Sequence, residues 1–455
     1  MVEGALRRLN IFFAWFLNFV YKPTRVQKNP QRALVRGIRR WDLVAITING
    51  VIGAGIFGLP AKVYSLIGTY SLIAFVVCAF VVALIILCFA EVSSRFEETG
   101  GPYLYSRVAF GATIAFEIGW LIWLARLTAF AANCNLMVNY LSYFWPSAAS
   151  SFWRPTIIIV VVGVLTLINL IGVREATLVS NGFTIGKLVP MLMFVIAGIF
   201  FLNRAAYTFG TAPTTGAFSQ SVLLLIYAFT GFEMAVIPAG EAQNPQTHLP
   251  RALVIALGVV ASIYIMIQIV CVGTLPELAQ STKPLADAAS HFLGTIGGAI
   301  ISVGAIISIT GNLNILVLSG SRVPFAMAEQ KQLPTAISRV HTKFSTPYIA
   351  ILFTAVVMLL LTLKSSFVAA LTISAIARLV TYAATCVALI MFRRDKSSPE
   401  ARFRLPGGIL ISILSLLLIV WLVSNSTAQE AKVAAIAAAV GLLIHFSYKV
   451  YSRSS

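Results

Sequence analysis

Two stretches of the chain put glycine, proline and polar residues into the middle of apolar runs. The first is Asn49-Gly50-Val51-Ile52-Gly53-Ala54-Gly55-Ile56-Phe57-Gly58-Leu59-Pro60. The second, about 178 positions later, is Tyr227-Ala228-Phe229-Thr230-Gly231-Phe232-Glu233, with Pro238 following. Each interior Gly costs a helix up to about 1 kcal/mol and each Pro about 3 kcal/mol, so neither stretch favours an unbroken helix. A broken helix has its own chemistry: a half-helix N-terminus exposes N–H groups carrying about +0.5 charge, and a C-terminus exposes carbonyls carrying about −0.5. A zwitterion matches that pattern. Its carboxylate would take the N–H groups near Ala54 and Gly55, and its ammonium the carbonyls of Val51, Tyr227 and Thr230, with no side chain required. Ile52, Gly53, Phe229 and Gly231, in the same two breaks, complete the candidate binding set, and an amino acid is the ligand this chemistry suits.

Five ionisable residues sit inside apolar runs: Glu117, Arg126, Lys187, Glu233 and Arg378. In hydrocarbon each costs about 2.5 to 3.5 kcal/mol at a helix centre, so each should face a partner or a cavity. Lys187 is a candidate to exchange a proton, or to bond permanently to the carbonyls of the first break. Glu233 could relay protons, pair with a basic substrate or brace the unwound segment. Arg126 and Arg378 could each pair with Glu233, and whichever stays free would disfavour cationic substrates, which puts neutral or acidic amino acids ahead. Glu117 reads as a structural partner for a loop arginine. Tyr227, Phe229 and Phe232 could gate the site or simply pack, and Lys187, Glu233, Arg126 and Tyr227 form the candidate coupling and gating set.

Other chemistries find little support. Gly53-Ala-Gly55-Ile-Phe-Gly58 fits a dinucleotide fingerprint, but no strand precedes it and the next carboxylate is Glu91. Gly182-Phe-Thr-Ile-Gly186-Lys187-Leu188 is one residue short of a phosphate loop and lacks the following Ser or Thr. The four histidines (His248, His291, His341, His445) are scattered with no HExxH, so an embedded metalloenzyme is not indicated and no metal or cofactor is expected. Cys78, Cys88, Cys134, Cys271 and Cys386 fall singly in apolar tracts and read as packing residues. Asn425-Ser-Thr427 fits a glycosylation acceptor, which has meaning only for a luminal loop in a eukaryote.

The elements that must position these residues follow from composition. Of 455 residues 59% are apolar and 11% charged, against about 45 to 50% and about 25% in soluble domains. A bilayer-spanning helix needs roughly 20 apolar residues. Such stretches fall near 42–68, 70–92, 112–144, 156–172, 179–202, 219–240, 251–274, 291–320, 347–363, 366–392, 409–424 and 431–448, which makes twelve. Ile11 to Tyr21 is too short to cross and reads as an interfacial helix. The net charge of +18 is a matter of distribution rather than of nucleic acid: with both termini inside, 24 basic residues fall on cytoplasmic segments and six on external ones. Paired interruptions in the first and sixth spans are the signature of an inverted-repeat transporter, since unwound backbone at membrane depth is tolerated only where it lines a cavity or is buried in protein.

At these residues the chain resembles the amino acid-polyamine-organocation permease family. The likeness runs from Arg40-Trp41-Asp42 through the glycine-rich break to Glu91-Val-Ser-Ser-Arg95-Phe-Glu-Glu-Thr-Gly-Gly101-Pro102-Tyr103-Leu-Tyr105. It continues through Phe229-Thr-Gly-Phe-Glu233, Asn244-Pro245, Leu249-Pro250-Arg251, Ser321-Arg322, Ala326-Met-Ala and Leu333-Pro334. The resemblance implies an all-α integral membrane protein of twelve transmembrane helices with the LeuT-type fold: two inverted five-helix repeats, discontinuous helices 1 and 6, and two extra helices. Residues 1–40 would be a basic cytoplasmic segment, 41–205 the first repeat, 206–393 the second, and 394–455 the last two helices and the cytoplasmic C-terminus. It also implies alternating access for amino acids or amines, and the backbone binding roles of Val51, Ala54, Gly55, Tyr227 and Thr230. Position 54 is Ala where some members carry Ser, which removes a hydroxyl contact to the carboxylate. In some members a lysine at the place of Lys187 substitutes for a sodium ion by its protonation. The expectation is a secondary transporter in the cell membrane, driven by the proton gradient with no cofactor. Its partners would be a small amino acid substrate and membrane lipids, with no nucleic acid. Exchange, or a non-transporting receptor on the same scaffold, stays open.

Overall fold

The computed structural model describes residues 38–98, 100–171, 174–237, 239–344, 346–395 and 398–454. The interfacial helix expected over Ile11 to Tyr21 lies outside the described residues, as does Pro238. Among the described residues the chain is helical, with no strand beyond one isolated bridge between Ile38 and Ala242. The helices are α1 (Arg40–Val51), α2 (Gly55–Ile67), α3 (Ser71–Ser93), α4 (Pro102–Phe110) and α5 (Ala112–Leu141). They continue as α6 (Trp153–Ile171), α7 (Arg174–Gly198), α8 (Thr215–Phe229), α9 (Glu233–Val236) and α10 (Pro245–Thr274). The last five are α11 (Pro284–Glu329), α12 (Tyr348–Lys364), α13 (Phe367–Arg394), α14 (Gly408–Ser424) and α15 (Ala428–Ser454).

Each apolar stretch of the sequence is occupied by helix, and eight helical runs among the described residues are long and apolar enough to cross a membrane. The outer surface agrees: Phe152, Phe200 and Leu410 stand 70%, 82% and 71% exposed. Water would not tolerate such a belt, whereas lipid does. Enclosure rises toward the middle of the bundle. The apolar window of α8 and α9 is 89% buried and that of α5 is 72%, against 11% for α15.

Two helices break where glycine density foretells it. After α1 the chain leaves helical geometry at Ile52, and after α8 Thr230 is extended (φ −85°, ψ 163°) before Gly231 turns with φ +113°. α4 lies in the connection after α3, and α11 runs for 46 residues with one non-helical residue, Gly294. Neither feature follows from hydropathy, which is blind to a short amphipathic helix and to a kink between two helical runs.

At one end of the bundle Glu91, fully buried, ties distant segments together. Its Oε1 accepts from Arg95 Nη2 at 3.1 Å and from Arg393 Nε at 2.8 Å, while its Oε2 accepts from the Leu405 N–H at 2.9 Å. Arg95 Nη1 also donates to the Pro399 carbonyl at 2.7 Å. The Glu91–Arg95 motif thus clamps α3 to the end of α13 and to the connection that follows it.

Candidate functional site

The two breaks face each other. Gly50 approaches so closely that a Cβ added there would lie 2.6 Å from the Gly231 carbonyl oxygen, and one added at Gly55 would lie 2.7 Å from the Cα of Ala228. Only hydrogen side chains permit this backbone-to-backbone approach. Between the breaks is a cavity lined by Val51, Gly53, Ala54 and Gly55 on one side and by Tyr227 and Thr230 on the other. Of the remaining candidate binding residues, Ile52, Phe229 and Gly231 lie outside the lining. Ile52 and Phe229 are fully buried, and Phe229 packs edge-on against Tyr264 with ring centroids 5.1 Å apart. Phe232 packs edge-on against Phe89 at 5.1 Å and tilted against Tyr382 at 5.0 Å.

The peptide groups assigned to a zwitterion differ in how committed they are. The Ala54 N–H already donates to Asn133 Oδ1 at 3.1 Å, so a carboxylate there must compete with the amide. Gly55 is the first residue of α2, and its N–H has no intrahelical acceptor. The Val51 carbonyl accepts from Tyr264 OH at 3.2 Å and the Tyr227 carbonyl from Thr230 Oγ1 at 2.8 Å. A carbonyl has two lone pairs, so that of Tyr227 retains capacity for an ammonium, whereas that of Val51 also accepts from the Gly53 N–H at 2.9 Å and an ammonium there must displace a donor.

Asn133 and Asn312, which the sequence reading passes over, also line the cavity. Asn133 Nδ2 donates to Tyr227 OH and to the Ala129 carbonyl, both at 2.7 Å, while its Oδ1 holds Ala54. One amide on α5 therefore holds both breaks. The signal available in the sequence was an Asn inside an apolar span, which needs a partner or a cavity as a charge does.

Lys187 on α7 is buried, and its Nζ donates to the carbonyls of Asn49 at 3.0 Å and Ile52 at 2.9 Å. These are carbonyls left over where α1 ends. Glu233 is also saturated. Its Oε1 pairs with Arg378, and its Oε2 accepts from Tyr382 OH at 2.8 Å and from the Gly231 N–H at 2.9 Å. The carboxylate thus sits at the N-terminus of α9 and pins the second break, where negative charge is favoured. Arg126 has no carboxylate partner among the described residues; its Nη1 donates to the Ser319 carbonyl at 2.6 Å. Glu117 departs from expectation. Among the described residues neither of its oxygens has a hydrogen-bond partner and no loop arginine meets it; Oε2 lies against Gly441 of α15 instead. The helix rotation turns it toward α15 rather than toward a loop.

Comparison with known proteins adds an independent line. A family model described as amino acid permease matches residues 38–444. The chain is 34% identical to the serine/threonine exchanger SteT of Bacillus subtilis over 339 residues, 71% of this chain and 75% of that protein. It is 28% identical to the methylthioribose transporter of the same organism over 446 residues, 92% and 95% of the two chains. It is 26% identical to that organism's branched-chain amino acid permease BcaP over 442 residues, 92% and 94%.

Proposed function

The chain belongs to the amino acid permease family of the amino acid-polyamine-organocation superfamily, and from that premise we propose that it is a secondary active transporter moving amino acids across the cell membrane by alternating access. In this reading twelve helices cross the bilayer with both termini cytoplasmic. Residues 41–205 and 206–393 are inverted repeats, and 394–455 carry two further helices. The observation that supports it most is the cavity bounded by peptide groups of two non-helical segments. The ammonium of the substrate takes the Val51, Tyr227 and Thr230 carbonyls. The carboxylate takes the Gly55 N–H and competes with Asn133 for that of Ala54.

Coupling runs through Lys187. A protonated lysine donates charge-assisted hydrogen bonds, roughly twice as strong as neutral ones, to the Asn49 and Ile52 carbonyls. Loss of the proton weakens that hold and frees the first break to move, so an inward proton gradient drives uptake. Neutral amino acids are the first substrate class and acidic ones the second. Exchange is the second reading, favoured by the likeness to the serine/threonine exchanger SteT.

Uptake of labelled amino acids by the purified protein in liposomes tests both. Stimulation by an inward proton gradient supports symport; uptake that requires unlabelled amino acid inside supports exchange. If no amino acid or amine moves under either condition, the transport reading is wrong.

A further inference from the structure

We propose that Arg126 is a specificity-determining residue: a guanidinium with no carboxylate partner among the described residues, one turn along α5 from the cavity lining, that bars substrates with a cationic side chain. The inference rests on the amino acid transport reading. Three observations carry it. Arg378 lines the cavity, but Glu233 matches its charge. Glu233 has no oxygen to spare, because Tyr382 and the Gly231 N–H take the other. Arg126 stands beside them, since Ser374, one turn before Arg378 on α13, bonds the Ala125 carbonyl, so the group of two arginines and one glutamate carries one uncompensated positive charge.

Position makes that charge act on the cavity. Arg126 is three and seven residues before Ala129 and Asn133, both of which line it, so all three share one face of α5. Arg126 is 4% exposed, between α11, where Ser319 accepts its hydrogen bond, and α13, where Ser374 Oγ donates to the neighbouring Ala125 carbonyl at 2.8 Å. With little water to screen it, the charge meets whatever side chain the substrate brings. At an effective dielectric of about 20 and a separation of about 8 Å, like charges repel enough to weaken binding roughly 30-fold. A neutral side chain meets no such penalty, and a carboxylate would gain.

The test uses pairs of competitors alike in shape and different in charge, arginine with citrulline and lysine with glutamine, against uptake of a labelled neutral substrate. In the wild type the cationic member of each pair should compete roughly 30-fold less well than the neutral one. Arg126→Gln should close most of that gap, and Arg126→Lys, which keeps the charge, should preserve it. A merely structural role would lower uptake of every substrate and leave the ratios alone. Equal competition within pairs in the wild type, or the same ratio in Arg126→Gln as in Arg126→Lys, overturns the proposal. The wild-type comparison decides even if Arg126→Gln does not fold. Absence of any amino acid uptake by the wild type would instead remove the transport reading.

Discussion

Gly50 and Gly231 touch backbone to backbone across the two helix breaks, with the space for a Cβ at either position filled by the carbonyl group of the other. Gly231 also holds φ +113°, a region that costs an L-residue about 1 to 3 kcal/mol. Gly231→Ala therefore meets strain and collision together. We expect roughly a tenfold or greater loss of transport and a lower unfolding temperature, with Gly50→Ala failing in the same direction. Uptake assays paired with thermal unfolding in detergent check this; a variant that transports like wild type would show that the contact is dispensable.

Asn133 is the side chain on which both breaks depend. Replacing it with Ala leaves the buried Ala54 N–H without an acceptor, at a cost of about 1 to 3 kcal/mol. Tyr227→Phe removes only the hydroxyl that Asn133 engages. The expected order is a larger fall in stability and a larger rise in KM for Asn133→Ala than for Tyr227→Phe. The reverse order would mean that Asn133 does not organise the cavity.

Lys187→Met keeps bulk and removes charge and donors from the Asn49 and Ile52 carbonyls. Gradient-driven accumulation should be lost, while any remaining transport down the amino acid gradient becomes insensitive to external pH. Measuring initial rates over a range of external pH, with and without a proton gradient, separates the two. Unchanged gradient dependence in this variant would take the coupling role away from Lys187 and leave the binding site untouched.

Glu91→Ala strands two arginines, Arg95 and Arg393, at a buried site. Removing one partner of a buried pair costs about 3 to 5 kcal/mol, so this variant should unfold at a markedly lower temperature and reach the membrane in smaller amounts. Substrate affinity of the folded fraction should stay near wild type, because the clamp lies outside the cavity. A stable variant with altered affinity would contradict a purely structural role.

Both helix breaks are legible in the sequence, because glycine and proline inside an apolar run carry a local cost that nothing nearby repays. The burial of Lys187 was legible too, as a charge inside a span must find partners. What the sequence could not show was which groups meet across the bundle. Glu91 and Arg393 are 302 positions apart, and Asn133 and Tyr227 are 94 apart. The choice of Arg378 over Arg126 for Glu233 turns on the rotation of two helices about their axes, which hydropathy does not encode when both are buried nearly all round. The same uncertainty misplaced the partner of Glu117.

In the proposed mechanism bare peptide groups of the two breaks hold the two ends of an amino acid. An experimentally determined structure with a transported amino acid bound tests it most directly. Its carboxylate should lie within hydrogen-bond distance of the Gly55 N–H, and its ammonium against the carbonyls of Val51, Tyr227 and Thr230. Helices running unbroken through residues 52–54 and 230–232, or a ligand held elsewhere by side chains alone, would contradict it.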